Sequence, residues 1–461
     1  MSPSGHADWQ AGFERLARAQ GLDCYPIDFS VVPASFMLEI AAYGLPIRMP
    51  HWSFGARYVH QLVRHHMGHS HVFEVMFPGD PCRAYLLDSN SAAENALVTA
   101  HVIGHADFVK RNALFRHCMD MTGGHVLERS AVRARRVEQA IAQYGPRRVE
   151  TVLDAALALE SHIDVQAPLH RPDHETPRPA PPPSPSMADT AFWRRYRALV
   201  GAPPLAADTA RPGESRPSPE PDLLWFIAHH GPELEDWERE IFLAVREEAY
   251  YFYPVHACQI MNEGWASYWH ARLLREADFL PQACWVQAIK SHSDVVSPYG
   301  DGAGQALSIN PYHLGFALWE HIVARDGLAA ACRVCTDEDD TGFIRNHLDR
   351  ELADQLDLFV HATRADGETR IMNRDLHAIH EAILAPTYHY GAPSIVVSRL
   401  HHDGSLELTH DARRDGRGLD VPQAEQVLAY IAKVWRRPVV LHTVDFRGVP
   451  RAIRGMPTAL P

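Results

Sequence analysis

Three things are scarce in this chain of 461 residues: cysteine, net positive charge and long apolar runs. The seven cysteines (Cys24, Cys82, Cys118, Cys258, Cys284, Cys332, Cys335) are scattered and odd in number. That argues against a disulfide scaffold and suits a reducing compartment. Cys332 and Cys335 form a lone C-x-x-C with no second pair, followed by the acidic stretch Asp337–Asp340. It reads as coincidence rather than as a zinc or redox motif. The formal charge of −13 excludes a general nucleic-acid or anionic-membrane binder. No run of 18 apolar residues exists, so no membrane span is expected. The stretch from Met1 to Gln20 has no apolar h-region, so no signal peptide is expected either.

What is present is a dense aromatic and polar stretch, Met261-Asn262-Glu263-Gly264-Trp265-Ala266-Ser267-Tyr268-Trp269-His270. On a helix Glu263 and His270 share one stripe. A carboxylate and an imidazole among large aromatics must be paired, neutralised or bound to something. Gly264 costs roughly 1 kcal/mol against Ala in a helix interior, which points to close approach by a backbone or ligand. The bland reading is a buried helix whose polar groups satisfy one another.

His101-Val102-Ile103-Gly104-His105 puts two imidazoles one turn apart, the spacing at which one helix offers two ligands to one metal. The chain holds 30 His, so such pairs also arise by chance. His65, His66, His69 and His71 read as a surface or turn cluster of that kind. His101 and His105 gain weight from Glu263, a third ligand that completes a two-His-one-carboxylate set.

The expected fold class is α+β, with a mainly α-helical core and a small α+β C-terminal module. Residues 1–166 form the first part of the core, 167–222 a Pro-rich linker or insert, 223–388 the second part, and 389–461 the module. Residues 6–20 read as a helix, and 30–47 as apolar packing. Ser53 is the expected N-cap of a helix entered through His51-Trp52-Ser53-Phe54-Gly55. Residues 71–77 alternate like a strand and pair with Ala84–Asp88 across Pro78-Gly79-Asp80-Pro81. One helix is expected from Ser91 to Phe115, and more over 126–166 with a break at Gly145-Pro146. Prolines rule out regular structure in 167–187 and 203–221, with a short docking helix at Phe192–Tyr196 between them. Further helices are expected over 223–230, 232–253 (ending at Pro254), through the opening aromatic stretch to Glu276, over 281–295, from Pro311 behind an Asn310 cap, and over 343–360. Ser394–Leu400 and Ser405–Thr409 read as a hairpin, Pro422–Val434 as a helix and Val439–Val444 as a third strand.

These motifs, with Ala100–Phe108, Glu247-Glu248-Ala249-Tyr250-Tyr251-Phe252-Tyr253-Pro254 and Asn310-Pro311-Tyr312-His313-Leu314-Gly315, resemble the stage V sporulation protein R (SpoVR) family along nearly the whole chain. The family's usual Phe-Phe-Lys-Asn-Asn reads Phe108-Val109-Lys110-Arg111-Asn112 here. The resemblance implies a cytoplasmic protein linked to sporulation. It also implies partners in a serine protein kinase and a von Willebrand-type protein. It does not imply a reaction.

A Gly-His pair on a helix with a distant Glu-Gly-Trp-Ala is also similar to gluzincin zinc peptidases. That likeness implies a metallopeptidase-like core in which His101, His105 and Glu263 hold zinc. Where those enzymes carry a general-base Glu, this chain has Val102. Glu248 is then the expected base, with Glu247 and Asp107 behind it; His270 would stabilise an oxyanion or be a fourth ligand. Glu94 reads as incidental. The expectation is thus a metal-dependent hydrolase of a peptide or peptidoglycan-like amide. One alternative is a non-haem iron or manganese site. The other is a non-enzymatic scaffold or signalling partner in sporulation or stress response.

Overall fold

The computed structural model describes residues 3–66, 74–167, 219–297, 310–363 and 369–457. The Pro-rich segment, the Phe192–Tyr196 piece, His69 and His71 lie outside these residues. In chain order the first half holds α1 (Pro3–Ala19), β1 (Ile27–Val32), α2 (Ala34–Tyr43), α3 (Trp52–His66), β2 (Glu74–Phe77), β3 (Cys82–Leu87), α4 (Ala92–Arg111), α5 (Ala113–Thr122), α6 (Val126–Tyr144) and α7 (Pro146–Ala158). Next come α8 (Leu223–His230), α9 (Asp236–Ala257), α10 (Gln259–Glu276), α11 (Gln282–Val295), α12 (Pro311–Asp326), α13 (Leu328–Asp337), α14 (Asp340–His347) and α15 (Arg350–Gln355). The chain then forms β4 (Val360–Thr363), β5 (Thr369–Asn373) and α16 (Leu376–Leu384). The C-terminal part is β6 (Ile395–Leu400), β7 (Leu406–His410), α17 (Ala412–Asp415), α18 (Val421–Trp435), β8 (Val439–Val444) and β9 (Pro450–Gly455). None of the described helices is long and apolar enough to cross a membrane.

The core is built on α10, which lies between α4 and α12. Almost the whole of α4 is buried, because most of its sequence is apolar or small around the helix, and its polar His101, His105 and Asp107 are buried with it. Ser91 and Glu94 form a capping box at its start, which accounts for Glu94. The two helix crossings are close because glycines face them. A Cβ on Gly104 would stand 2.7 Å from the Ala266 Cα, and one on Gly264 would stand 2.5 Å from the Gly315 Cα. The close approach expected at Gly264 is thus to the backbone of α12. Asp340 accepts from the Ile260 and Met261 N–H groups, both at 2.8 Å, and so tethers the start of α10.

Several boundaries differ from the sequence expectation. The single helix expected over 91–115 is two, because Asn112 ends α4 and its side chain caps α5 through the Leu114 and Phe115 N–H groups. Helix α9 runs through Pro254 to Ala257 rather than stopping, since a proline in the last turn forfeits only one backbone bond. Ser53 lies inside α3; its N–H and hydroxyl both meet Nδ1 of His51. The region 343–360 breaks into two short helices, each capped by an aspartate (Asp339, Asp349), before β4 begins. The β2–β3 hairpin forms as expected, with Glu74 opposite Leu86. Strand β1, read only as apolar packing, joins its other edge in parallel.

The C-terminal sheet has the order β6-β7-β8-β9. The expected hairpin, helix and third strand are there, and β9 adds a fourth. Helix α18 links the parallel pair β7 and β8 and buries Leu428, Ile431 and Trp435. This sheet shares one apolar cluster with α7, α8 and α9, in which Trp435 stacks on Phe226 with ring centroids 6.1 Å apart. Arg436 adds an ion pair to the buried Glu238 of α9 at 2.6 Å.

Candidate metal centre

Helix α4 supplies His101 and His105, both buried, and α10 supplies Glu263 across the crossing that Gly104 makes possible. Oε2 of Glu263 lies 3.4 Å from Nε2 of His101 and 3.5 Å from Nε2 of His105. One ligand atom from each of the three residues falls within 4.8 Å of the others. A tetrahedral zinc with bonds of ~2.0–2.1 Å spaces its donors ~3.3–3.4 Å apart, so the donor set fits such an ion. His101 Nε2 and Glu263 Oε2 are also buried and lack a hydrogen-bond partner among the described residues. Buried polar atoms left so are rare and call for an occupant.

The far side of each imidazole is engaged. His105 Nδ1 donates to Oδ1 of Asn262 at 2.9 Å, leaving Nε2 with a free lone pair. His101 Nδ1 meets Nδ1 of His270 at 2.9 Å, and Nε2 of His270 meets Nδ1 of His292 at 2.6 Å. A proton on Nδ1 of His101 satisfies this row and frees its Nε2 as well. Burial holds His270 well below the usual histidine range, and the neighbouring imidazoles add to that. Burial alone would raise the Glu263 carboxyl, but the two imidazoles outweigh it and hold the group well below the carboxylate range. Burial opposes charge on His105 too, yet Glu263 and Asn262 keep it above its ordinary value.

Two more residues complete the site, and sequence reasoning missed both as site residues. Glu74, at the start of β2, brings Oε1 to 3.9 Å from Nε2 of His101. Burial raises its carboxyl, and the like charge of Glu263 adds to this while the imidazoles oppose it. Tyr312, in the first turn of α12, brings its hydroxyl beside Glu263, whose charge, with burial, pushes it well above the usual tyrosine range. Glu74 and Glu263 keep 20% and 22% of their side chains exposed, so the site opens on its carboxylate side. A carboxylate at the head of the otherwise apolar strand Glu74–Phe77 was the signal for Glu74. For Tyr312 it was the Asn310-Pro311 cap that fixes the ring's position.

Of the other expected catalytic residues, the structure brings His270 against His101 but directs Glu248 and the two acids behind it to other partners. Glu248 is fully buried, but its oxygens are taken by Arg48 at 2.7 Å and Ser130 at 3.2 Å, not by the His–Glu cluster. Glu247 pairs with Arg129 and Arg133 of α6. Asp107 accepts from Asp23 N–H, Arg111 and Trp265 Nε1, which uses its acceptor capacity. His270 stands beside the cluster, with its two ring nitrogens against His101 and His292, and is not one of the three convergent donors. Cys332 and Cys335 are free thiols, and burial pushes Cys335 well above the usual thiol range.

Comparison with known proteins bears on the whole chain. Residues 6–390 match the family described as SpoVR like protein, and residues 393–446 match the SpoVR-like C-terminal domain. An uncharacterized protein of Escherichia coli K12, YcgB, is 30% identical over 342 residues. The aligned region is 71% of this chain and 64% of that relative's length. No solved structure matches. The two matched segments together take in the helices that carry His101, His105 and Glu263, the strand that carries Glu74 and most of the C-terminal sheet, and on that ground the chain belongs to the SpoVR family.

Proposed function

We propose that His101, His105 and Glu263 hold one divalent metal, zinc in the first instance, and that the site hydrolyses an amide bond of a peptide or peptidoglycan-like substrate. The observation that carries this reading is the spacing of Glu263 Oε2 from the two Nε2 atoms, at 3.4 and 3.5 Å. Bound there, such an ion polarises a carbonyl and makes a water acidic near neutrality. The chain's own residues then move the protons. Residue 102 is a fully buried valine, so α4 supplies no base. Glu74 takes that role from β2, accepting the proton of the attacking water and passing it to the leaving amine. Tyr312 donates to the carbonyl oxygen as charge develops on it. Asn262 and His270 keep the two imidazoles in the ligand tautomer.

A second reading is favoured by Glu74 itself. A fourth donor that is a carboxylate makes the set richer in oxygen, which suits manganese or iron(II), and Glu74 is then a ligand rather than a base.

The test is elemental analysis of the purified full-length chain, followed by assay on amide substrates. About one zinc per chain is expected, lost in His101→Ala and Glu263→Gln with helical circular dichroism retained. Glu74→Gln should keep the zinc and lose the cleavage. Iron or manganese in place of zinc, lost in Glu74→Gln, would select the second reading. A wild-type protein that takes up no metal would leave the scaffold or signalling role in front.

A further inference from the structure

A cavity of about 440 Å³ lies between the end of α7 and the C-terminal sheet. Leu159, Leu408, Val427 and Leu441 form its apolar walls. Gly391, Ala392 and Pro393, at the join of the two matched segments, lie along it. That volume and character suit a small organic ligand. One wall holds an anomaly. Both ring nitrogens of His162 are buried, and neither has a partner among the described residues. Burial pushes this imidazole down to about 4, with Asp415 opposing, so it is neutral at physiological pH. A neutral imidazole in apolar surroundings costs on the order of 1–3 kcal/mol while its donor is unmet. On the same lining stands Arg417, exposed and without an ion pair among the described residues. The acid nearest in sequence on that lining, Asp420, is engaged by the Gln423 N–H at the start of α18, where the helix end offsets its charge. Phe446, 71% exposed, adds an apolar edge.

We propose that this cavity binds a small carboxylic acid with an apolar tail, the tail against the leucine walls and the carboxylate met by Arg417 and the His162 N–H. A guanidinium and a neutral N–H are both donors, which selects an acceptor-only headgroup. The apolar walls select the tail. Such a ligand would touch the helical core through His162 and the C-terminal sheet through Leu408 and Leu441, and so would cement the two. The site is separate from the metal centre, and its test does not depend on that reading.

The probe is decanoate, titrated calorimetrically into the full-length chain, with decanol as the control that lacks the carboxylate. One saturable site per chain and a raised melting temperature are expected. Arg417→Ala, an exposed change that leaves the fold alone, should weaken decanoate by about tenfold, the worth of one charge-assisted bond. His162→Phe should abolish binding, because the larger ring fills the space and offers no donor. Decanol binding as tightly as decanoate would overturn the headgroup assignment. No saturable binding by the wild type, or binding unchanged in both variants, would overturn the site.

Discussion

Oδ1 of Asn262 accepts the Nδ1 proton of His105 at 2.9 Å, while Glu263, the next residue in sequence, faces Nε2 of the same ring at 3.5 Å. One turn of α10 therefore grips both edges of one imidazole. Replacing Asn262 by Leu removes the acceptor that fixes the tautomer. Metal affinity should fall by about 10–100-fold with the helices intact, the usual cost of losing such a partner. Competition with a chelator would measure it. An unchanged affinity would show that the ring is held by packing alone.

Glu248 should prove structural. Its carboxylate is fully buried against Arg48, which is itself 6% exposed. Arg48→Met leaves that charge unpaired, apart from Ser130, and should cost about 3–5 kcal/mol of stability. Bound metal per folded chain should not change. Denaturant unfolding and elemental analysis on the same sample separate the two effects. Metal loss without a stability loss would return Glu248 to the active site.

Gly264→Ala should be unusually costly for so small a change. The added methyl would stand 2.3 Å from the carbonyl carbon of Gly315, a backbone atom with no rotamer to yield. The helices must part, and Glu263 moves with α10. A destabilisation of about 2 kcal/mol or more is expected, together with weaker metal binding. Gly55→Ala, where the same test finds open space, is the control and should be close to neutral.

Much of this site was legible in the sequence, and its omissions have one cause. The His101–His105 pair is a local spacing, and Glu263 stands out as a carboxylate among tryptophans. Glu74 and Tyr312 reach the site only through tertiary convergence from β2 and α12. Glu248 shows the same limit in reverse. An acid ahead of an aromatic run reads alike whether it faces a metal or, as here, an arginine 200 positions away. The fold followed a similar division. The aromatic-rich helix α10 and the Asn310-capped helix α12 were readable. The short edge strands β1 and β9 were not, because they depend on a partner strand. The break at Asn112 was hidden because a polar residue continuing an apolar helix and one capping the next look alike.

His162 gives a pH signature. Its folded-state value of about 4 lies below the 6.5 of a free histidine, so the unfolded chain binds the extra proton first. Stability from this residue is full above pH 6.5 and is lost as pH falls from there towards 4. The full loss should be on the order of 3 kcal/mol. His162→Phe should flatten that part of the stability profile, read as melting temperature between pH 7 and 4.5. Equal slopes in the two proteins would mean that the imidazole is hydrated and titrates normally.

The contact between α4 and α10 joins residues from either side of the 168–218 segment. His101 and Glu263 thus belong to two stretches of chain whose attachment is by packing as well as by peptide bonds. Two separately produced polypeptides, divided within that segment, would carry between them His101, His105 and Glu263, the donors of the proposed metal centre. Neither half alone has a complete donor set. Reassembly of the halves would therefore be reported by metal uptake, which makes the centre its own indicator of correct association.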